Sequence, residues 1–312
     1  MNTKTILFAI IAGLAAAVMS AAPQSGSGFG LALSFFAAVP IIVVCLGWGT
    51  LSAIIASAIA ALATVLAGDF QSGIVLALVT VLPAAWIGHM TSLSRIDDDG
   101  QETWFPLGDI LFRATLYFAI LTVALGIMVG FTTEKLTEAI AQLMREFLAQ
   151  SQQQGQIDPD ALLNNARYYA YVLPFVIPVS MMFLMLTNWL IATRLARNFN
   201  LTPRPRDYIA GTLDLPIMAL PAFAVAVIAS LLGGSIGLMA QPFVGALGFA
   251  LSLVGLAVLH LISTGRSGRG ALLAIVYTLI LFLGIPLVIF TALGIAELLM
   301  RIRARRTPPP NP

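Results

Sequence analysis

Few residues in this chain of 312 could do chemistry, and their spacing forms no recognisable centre. The two histidines, His89 and His260, and the single cysteine, Cys45, stand far apart. A metal site needs three or four ligands at short, regular intervals, so no metal is expected. Cys45 lies inside the apolar run Ile41-Ile-Val-Val-Cys-Leu46, can form no internal disulfide, and reads as a small apolar side chain. His89 and His260 fall at the ends of apolar runs, where a solvated or helix-terminal histidine fits better than a ligand. There is no phosphate-binding Walker loop, no Gly-x-Ser-x-Gly elbow and no His-Glu-x-x-His helix. Asp109 and Arg113 are four apart at the start of an apolar run and are expected to pair with each other. A membrane enzyme needs at least two acid–base or metal-binding groups in its cavity, so the chain is expected to be neither an enzyme nor the holder of a cofactor.

Contact chemistry is better represented. Asn188, beside Trp189, is the best lone polar group within an apolar run for touching a ligand, and it could equally bond a neighbouring helix. Pro40, one of several prolines inside or at the edges of such runs, completes the candidate ligand-facing set of Pro40, Asn188 and Trp189. Prolines break helices and free backbone groups, which transporters use to hold solutes. Ala9, Gly13 and Ala17 are four apart, forming a stripe that lets helix backbones approach closely. That stripe is either internal packing or a docking face for another membrane subunit.

The elements that carry these residues follow from composition. Hydrophobic residues make up 59% and charged residues 10%, against about 45–50% and about 25% in soluble domains. A globular enzyme, a nucleic-acid binder and a disulfide-stapled secreted module are all excluded. Continuous rather than alternating apolar runs exclude a membrane β-barrel. Runs of spanning length occur at 5–22, 31–47, 50–67, 73–90, 108–131, 168–193, 212–232, 241–263 and 271–300. The expected fold is therefore an all-α, polytopic integral membrane helix bundle of eight to nine transmembrane helices. Residues 1–300 are read as a single transmembrane domain, and 301–312 as a basic, proline-rich tail.

Lysine and arginine set the orientation, because cytoplasmic loops collect them. The connector 194–206 carries Arg194, Arg197, Arg204 and Arg206 without an acid, so it is placed in the cytoplasm. Segment 132–167 then lies outside, and its three basic residues are outnumbered by five acids. It is an amphipathic insertion with a helix beginning near Thr133, broken by the Gln-rich stretch 150–156 and restarted by Asp158-Pro159. It reads as a surface-lying helix, a lid or a partner-docking element. The amino terminus falls in the cytoplasm, and the expected home is the bacterial inner membrane. One contradiction remains at 271–300, where a single span would export the basic tail. Gly284-Ile-Pro286 interrupts the run, so it is either one kinked helix or two short arms that turn back; the returning arms, with a cytoplasmic tail, are preferred.

Several stretches together resemble a known family. Val39-Pro40-Ile41 leading to Leu46-Gly47-Trp48-Gly49, Gly255 to His260, Leu272 to Tyr277 and Ala292 to Glu297 look like the YybS-like predicted membrane proteins, a domain of unknown function. The resemblance spans nearly the whole chain. Its amino-terminal helices are similar to the substrate-binding subunits of energy-coupling-factor transporters, and that likeness implies docking of a coupling subunit at Ala9, Gly13 and Ala17. The functional expectation is a small-solute binding or transport component. The alternative is a non-transporting scaffold in an envelope or cell-division assembly. The lipid bilayer is the one certain partner, a second membrane subunit through the first helix is a candidate, and nucleic acid is not expected.

Overall fold

The computed structural model describes residues 2–150, 158–284 and 286–305. In chain order its elements are α1 (Thr3–Ala21), α2 (Gly28–Ser34), α3 (Val39–Trp48), α4 (Thr50–Ala67), α5 (Phe70–Leu76), a π-helical turn (Ala77–Val81) and α6 (Leu82–Thr91). A hairpin of β1 (Ser94–Ile96) and β2 (Glu102–Trp104) follows, then α7 (Leu107–Val129), α8 (Thr133–Gln150) and α9 (Pro159–Asn198). The last elements are α10 (Ile209–Thr212), α11 (Ala219–Leu231), α12 (Gly234–Ile262), α13 (Arg269–Leu283) and α14 (Pro286–Met300).

Apolar runs become helices because hydrocarbon offers no partner for backbone N–H and C=O groups, so each segment must bond its own. Gly49, at φ +88°, takes a left-handed turn between α3 and α4 that other residues resist. Among the described residues seven helical runs are long and apolar enough to cross a membrane, and the bent α13–α14 pair makes an eighth if counted as one. The run at 212–232 falls short. Its helix, α11, has only 13 residues, about 20 Å of rise against a hydrocarbon core of about 30 Å. Leu215 precedes Pro216, which biases it away from helical backbone, so α11 starts late.

The sequence presents one unbroken series of spans, yet the chain divides into two compact units. The first joins Met1–Ile110 to Met181–Asp207, and the second joins Leu111–Ser180 to Tyr208–Pro312. In the first unit α1 lies along α4. Ala9 and Ala16 face Ala53, Ala56 and Ala60, all fully buried. A methyl added at Gly13 would stand 2.5 Å from the Ala56 carbonyl oxygen. Small side chains thus let two backbones meet where lipid supplies no hydrophobic pressure. Within the stripe, Ala9 and Gly13 are buried along this internal contact, while Ala17 borders the open space beyond it.

In the second unit α12 is the central helix, with α11 and α14 against it. At the α12–α14 crossing, a methyl on Gly255 would stand 2.0 Å from the Phe290 carbonyl oxygen. One on Gly294 would stand 2.0 Å from that of Leu251. Thr291 donates to the Gly248 carbonyl at 2.9 Å across the same contact. α8 begins at Thr133 as its amphipathic pattern requires, and its Ala141 packs with Leu162 and Ala166 of α9. Asp158 caps α9 by accepting the Asp160 N–H at 3.1 Å. Most of the Gln-rich stretch, 151–156, lies outside the described residues, as does the tail from Arg306 onward.

The break at Gly284 turns the last two helices by 117°. Arg303, just past α14, donates to the carbonyls of Ala210 and Leu213 at 3.2 and 2.8 Å. It also binds Glu297 at 2.8 Å, and both partners are almost fully buried. Because α11 and α12 form a hairpin, residues 210–213 lie at the end of α12 from which α13 departs. α13 and α14 are therefore two short arms that leave from and return to the same end.

Candidate solute-binding site

Beyond the Gly13–Ala56 contact, a crevice of about 740 Å³ lies among the later part of α1, α2, the end of α4 and α5 with its π-helical turn. The walls follow from local sequence. Ala17, Ala63 and Ala67 are too small to fill the space, and Val79 and Thr80 of the π-helical turn line the opposite wall. π-Helical turns recur at functional sites because they displace side chains from the regular helical register. Here the turn ends just before Pro83, which has no N–H to continue a regular ladder.

The crevice is rich in oxygen and poor in charge. Ser20, Ser34 and Thr64 each donate to a carbonyl of their own helix at 2.8–3.0 Å, leaving lone pairs free to accept. Gln24, Gln71 and Thr80 have no side-chain hydrogen bond among the described residues, so their groups are open to a ligand or water. Asp69 is the one ionisable side chain in the lining. It caps α5, with Oδ1 accepting the Ser72 N–H at 2.9 Å and Oδ2 accepting the Ser72 hydroxyl at 2.8 Å. The Ser72 backbone N–H is the main cause that holds its pKa below the ordinary carboxylate value. Asp69 is thus a carboxylate at neutral pH.

Of the residues singled out from sequence, Ala17 lines the crevice and the ligand-facing candidates stand elsewhere. Asn188 donates to the Phe35 carbonyl and to the Leu184 carbonyl, both at 2.7 Å, joining α9 to the α2–α3 break. Trp189 donates from its indole nitrogen to the Thr91 hydroxyl at 2.9 Å. Pro40 occupies the first turn of α3. None of the three lines the crevice: Asn188 and Trp189 donate to other helices of their unit, and the Asn188 carboxamide oxygen is buried without a hydrogen-bond partner among the described residues. Asp109 and Arg113 stand on the opening turns of α7, one in each unit, and do not form part of the crevice. His89 meets Thr50 at 2.7 Å, and His260 meets Tyr277 at 2.7 Å. Among the described residues no three His, Cys, Asp or Glu gather as metal ligands.

Two buried arginines were read from sequence only as markers of orientation. Arg204 donates to Asp207 at 2.9 and 3.0 Å, to the Thr91 carbonyl at 3.1 Å and to the Phe105 carbonyl at 3.1 Å. Its guanidinium also lies 5.8 Å from the Trp104 ring centroid. Together with Trp189 it gathers α6, the β-hairpin and α9 around Thr91. A lone arginine in a basic connector carries no local signal of such a role. The crevice did leave a trace in the sequence: Asp69-x-x-Ser72 is a capping pattern, and Gln24 and Gln71 stand at run ends.

A family model described as "Predicted membrane protein (DUF2232)" matches residues 14–298. No curated protein and no solved structure matches the chain. The match takes in both units and nearly every span, and the chain belongs to this family of predicted membrane proteins.

Proposed function

We propose that this member of the family is a membrane component that binds a small solute in the first unit's crevice, as part of a transport process. The observation that carries the reading is the crevice itself. It has about 740 Å³ among membrane helices, hydroxyl and carboxamide groups on several sides, and one fixed carboxylate. Ligand sites are concave, mostly apolar, and furnished with a few convergent polar groups.

The lining selects by charge. It contains Asp69 and no lysine, arginine or histidine. An anion would meet an unbalanced like charge, whereas a cation beside Asp69 would meet an opposite one. Asp69 already accepts two hydrogen bonds, and a carboxylate has roughly four lone-pair sites, so about two remain for a ligand. The substrate class is therefore neutral or cationic and rich in hydrogen-bond donors. With the amino terminus in the cytoplasm of a bacterial inner membrane, the crevice end of α1 faces outward, which suits uptake. The likeness to energy-coupling-factor subunits supports the same direction, but a coupling subunit would have to use the outward Leu7, Ile11 and Val18 face of α1 rather than the buried stripe.

The test is thermal unfolding of the purified full-length chain against matched cationic, neutral and anionic solutes. Cationic or neutral donors raise the Tm, and Asp69→Asn removes the cationic response. No shift with any solute would refute the proposal. One feature favours the scaffold reading instead: Leu143 and Phe147 on α8 are 64% and 71% exposed, an apolar edge outside the spans that a protein partner could cover.

A further inference from the structure

The second unit holds a cavity of its own, of about 270 Å³. Tyr171, Val172 and Phe175 of α9 form one wall, Ser230 of α11 another, and Gln241 and Val244 of α12 the third. Gln241 is 8% exposed, and its carboxamide oxygen is buried without a hydrogen-bond partner among the described residues. Such a group loses its hydration on burial and regains nothing, so an unpaired buried amide calls for a partner from outside the chain. Its neighbour Pro242 has no N–H, so α12 also leaves the Leu238 carbonyl without its usual helical donor. The Ser230 hydroxyl donates to the Val227 carbonyl at 2.7 Å and can still accept.

The rest of the lining defines the ligand. No acid, lysine, arginine or histidine faces the cavity, so a charged guest would be left uncompensated among apolar helices. Phe175 and Tyr171 are partly exposed at the rim, and aromatic rings of this kind sit at the level of lipid headgroups. The space corresponds to about nine water molecules at roughly 30 Å³ each, enough for a glycerol-sized group and the first carbons of a chain. We propose that this cavity binds a neutral amphiphile through a hydroxyl that donates to Gln241 Oε1, its hydrocarbon lying against Val172, Phe175 and Val244. The hydroxyl comes either from a glycerolipid of the bilayer or from a free polyol. This site is independent of the solute crevice and stands or falls separately from it.

Thermal unfolding of the full chain, exchanged into detergent, tests the proposal with three probes: monooleoylglycerol, methyl oleate (the same chain without a hydroxyl) and millimolar glycerol. Monooleoylglycerol is expected to raise the Tm by at least about 2 °C, and methyl oleate to leave it unchanged. Glycerol inert assigns the site to lipid, and glycerol active assigns it to a free polyol. Gln241→Leu should abolish the response while its ligand-free Tm equals or exceeds that of the natural chain, because the orphaned amide is gone. Gln241→Met, closer in shape, should behave alike if the leucine variant fails to fold. Equal responses to monooleoylglycerol and methyl oleate would overturn the proposal, as would equal responses in variant and natural chain. The absence of any response, or a ligand-free Gln241→Leu or Gln241→Met less stable than the natural chain, would overturn it as well.

Discussion

The crossing of α12 and α14 rests on two glycines, and adding one methyl to either should force the helices apart. In the structure a Cβ at Gly255 would lie 2.0 Å from the Phe290 carbonyl oxygen, and one at Gly294 would lie 2.0 Å from the Leu251 carbonyl oxygen. Real Cβ contacts essentially never fall below 3.0 Å, so each substitution requires a displacement of at least 1.0 Å (3.0 less 2.0), and backbone cannot move aside as a side chain can. A gap of that size forfeits about a quarter to a half of the dispersion attraction across the contact. It also stretches the Thr291 bond to Gly248, now 2.9 Å. Overpacking of this kind costs about 1–3 kcal/mol, equivalent to a fall of roughly 2–12 °C in Tm at about 2–4 °C per kcal/mol for a unit of this size. The assay is thermal unfolding in detergent of Gly255→Ala, Gly294→Ala and the double variant. Gly270→Ala, where nothing lies within 4 Å, serves as control. Since one separation accommodates both methyls, the double variant should lose less than the sum of the singles. Single variants that melt with the natural chain, or a strictly additive pair, would refute the close crossing.

Removing one partner of the buried Arg303–Glu297 pair leaves a charge in a nearly dry site, so Arg303→Ala should destabilise the chain by about 3–5 kcal/mol in the same assay. Arg303→Met combined with Glu297→Leu should recover most of that loss. Single cysteines at Ser267 and Arg305, with Cys45 replaced by alanine, should react with a membrane-impermeant maleimide from the same side of the membrane; labelling from opposite sides would refute the return of α14. In the β-hairpin the Thr103 hydroxyl, and after it Arg95, holds the Asp97 carboxyl below its ordinary value. The stabilisation is thus complete above the ordinary carboxylate pKa and disappears as pH falls through the lowered one. Thr103→Val should move the Asp97 titration, followed by carboxyl NMR, back toward the ordinary value.

The helices were legible because hydrocarbon leaves a continuous apolar run no other backbone solution, and their breaks were legible because glycine and proline mark them. Gly284-Ile-Pro286 marked the place where the helix direction changes by 117°. What the run at 212–232 concealed was the local effect of Pro216, which shortens α11 without altering its hydropathy. The division into two units was invisible, because it depends on which helices pack, and apolar periodicity is nearly uniform in membrane spans. The stripe on α1 was recognised as a close-packing surface, but one sequence does not say whether the partner backbone belongs to the same chain. Asn188 and Trp189 donate to Phe35 and Thr91, which are too remote in sequence to be paired with them by spacing. The crevice escaped notice because small residues announce it by what they fail to fill.

The discontinuity of the first unit constrains how the protein is made. A ribosome delivers α1, α3 and α4 in close succession, and they can associate while the rest is still unsynthesised. Thr91, however, waits 98 residues for Trp189 and 113 for Arg204. Throughout that interval the Thr91 hydroxyl, which donates to the Ile87 carbonyl, and the Thr91 carbonyl lack the donors that α9 and Arg204 later supply, while α7, α8 and the first half of α9 are made. The first unit is therefore completed only after the opening segment of the second, Leu111–Ser180, has been made. A nascent chain that stalls before Arg204 would leave α6 and the β-hairpin without their clamp before the last five helices exist.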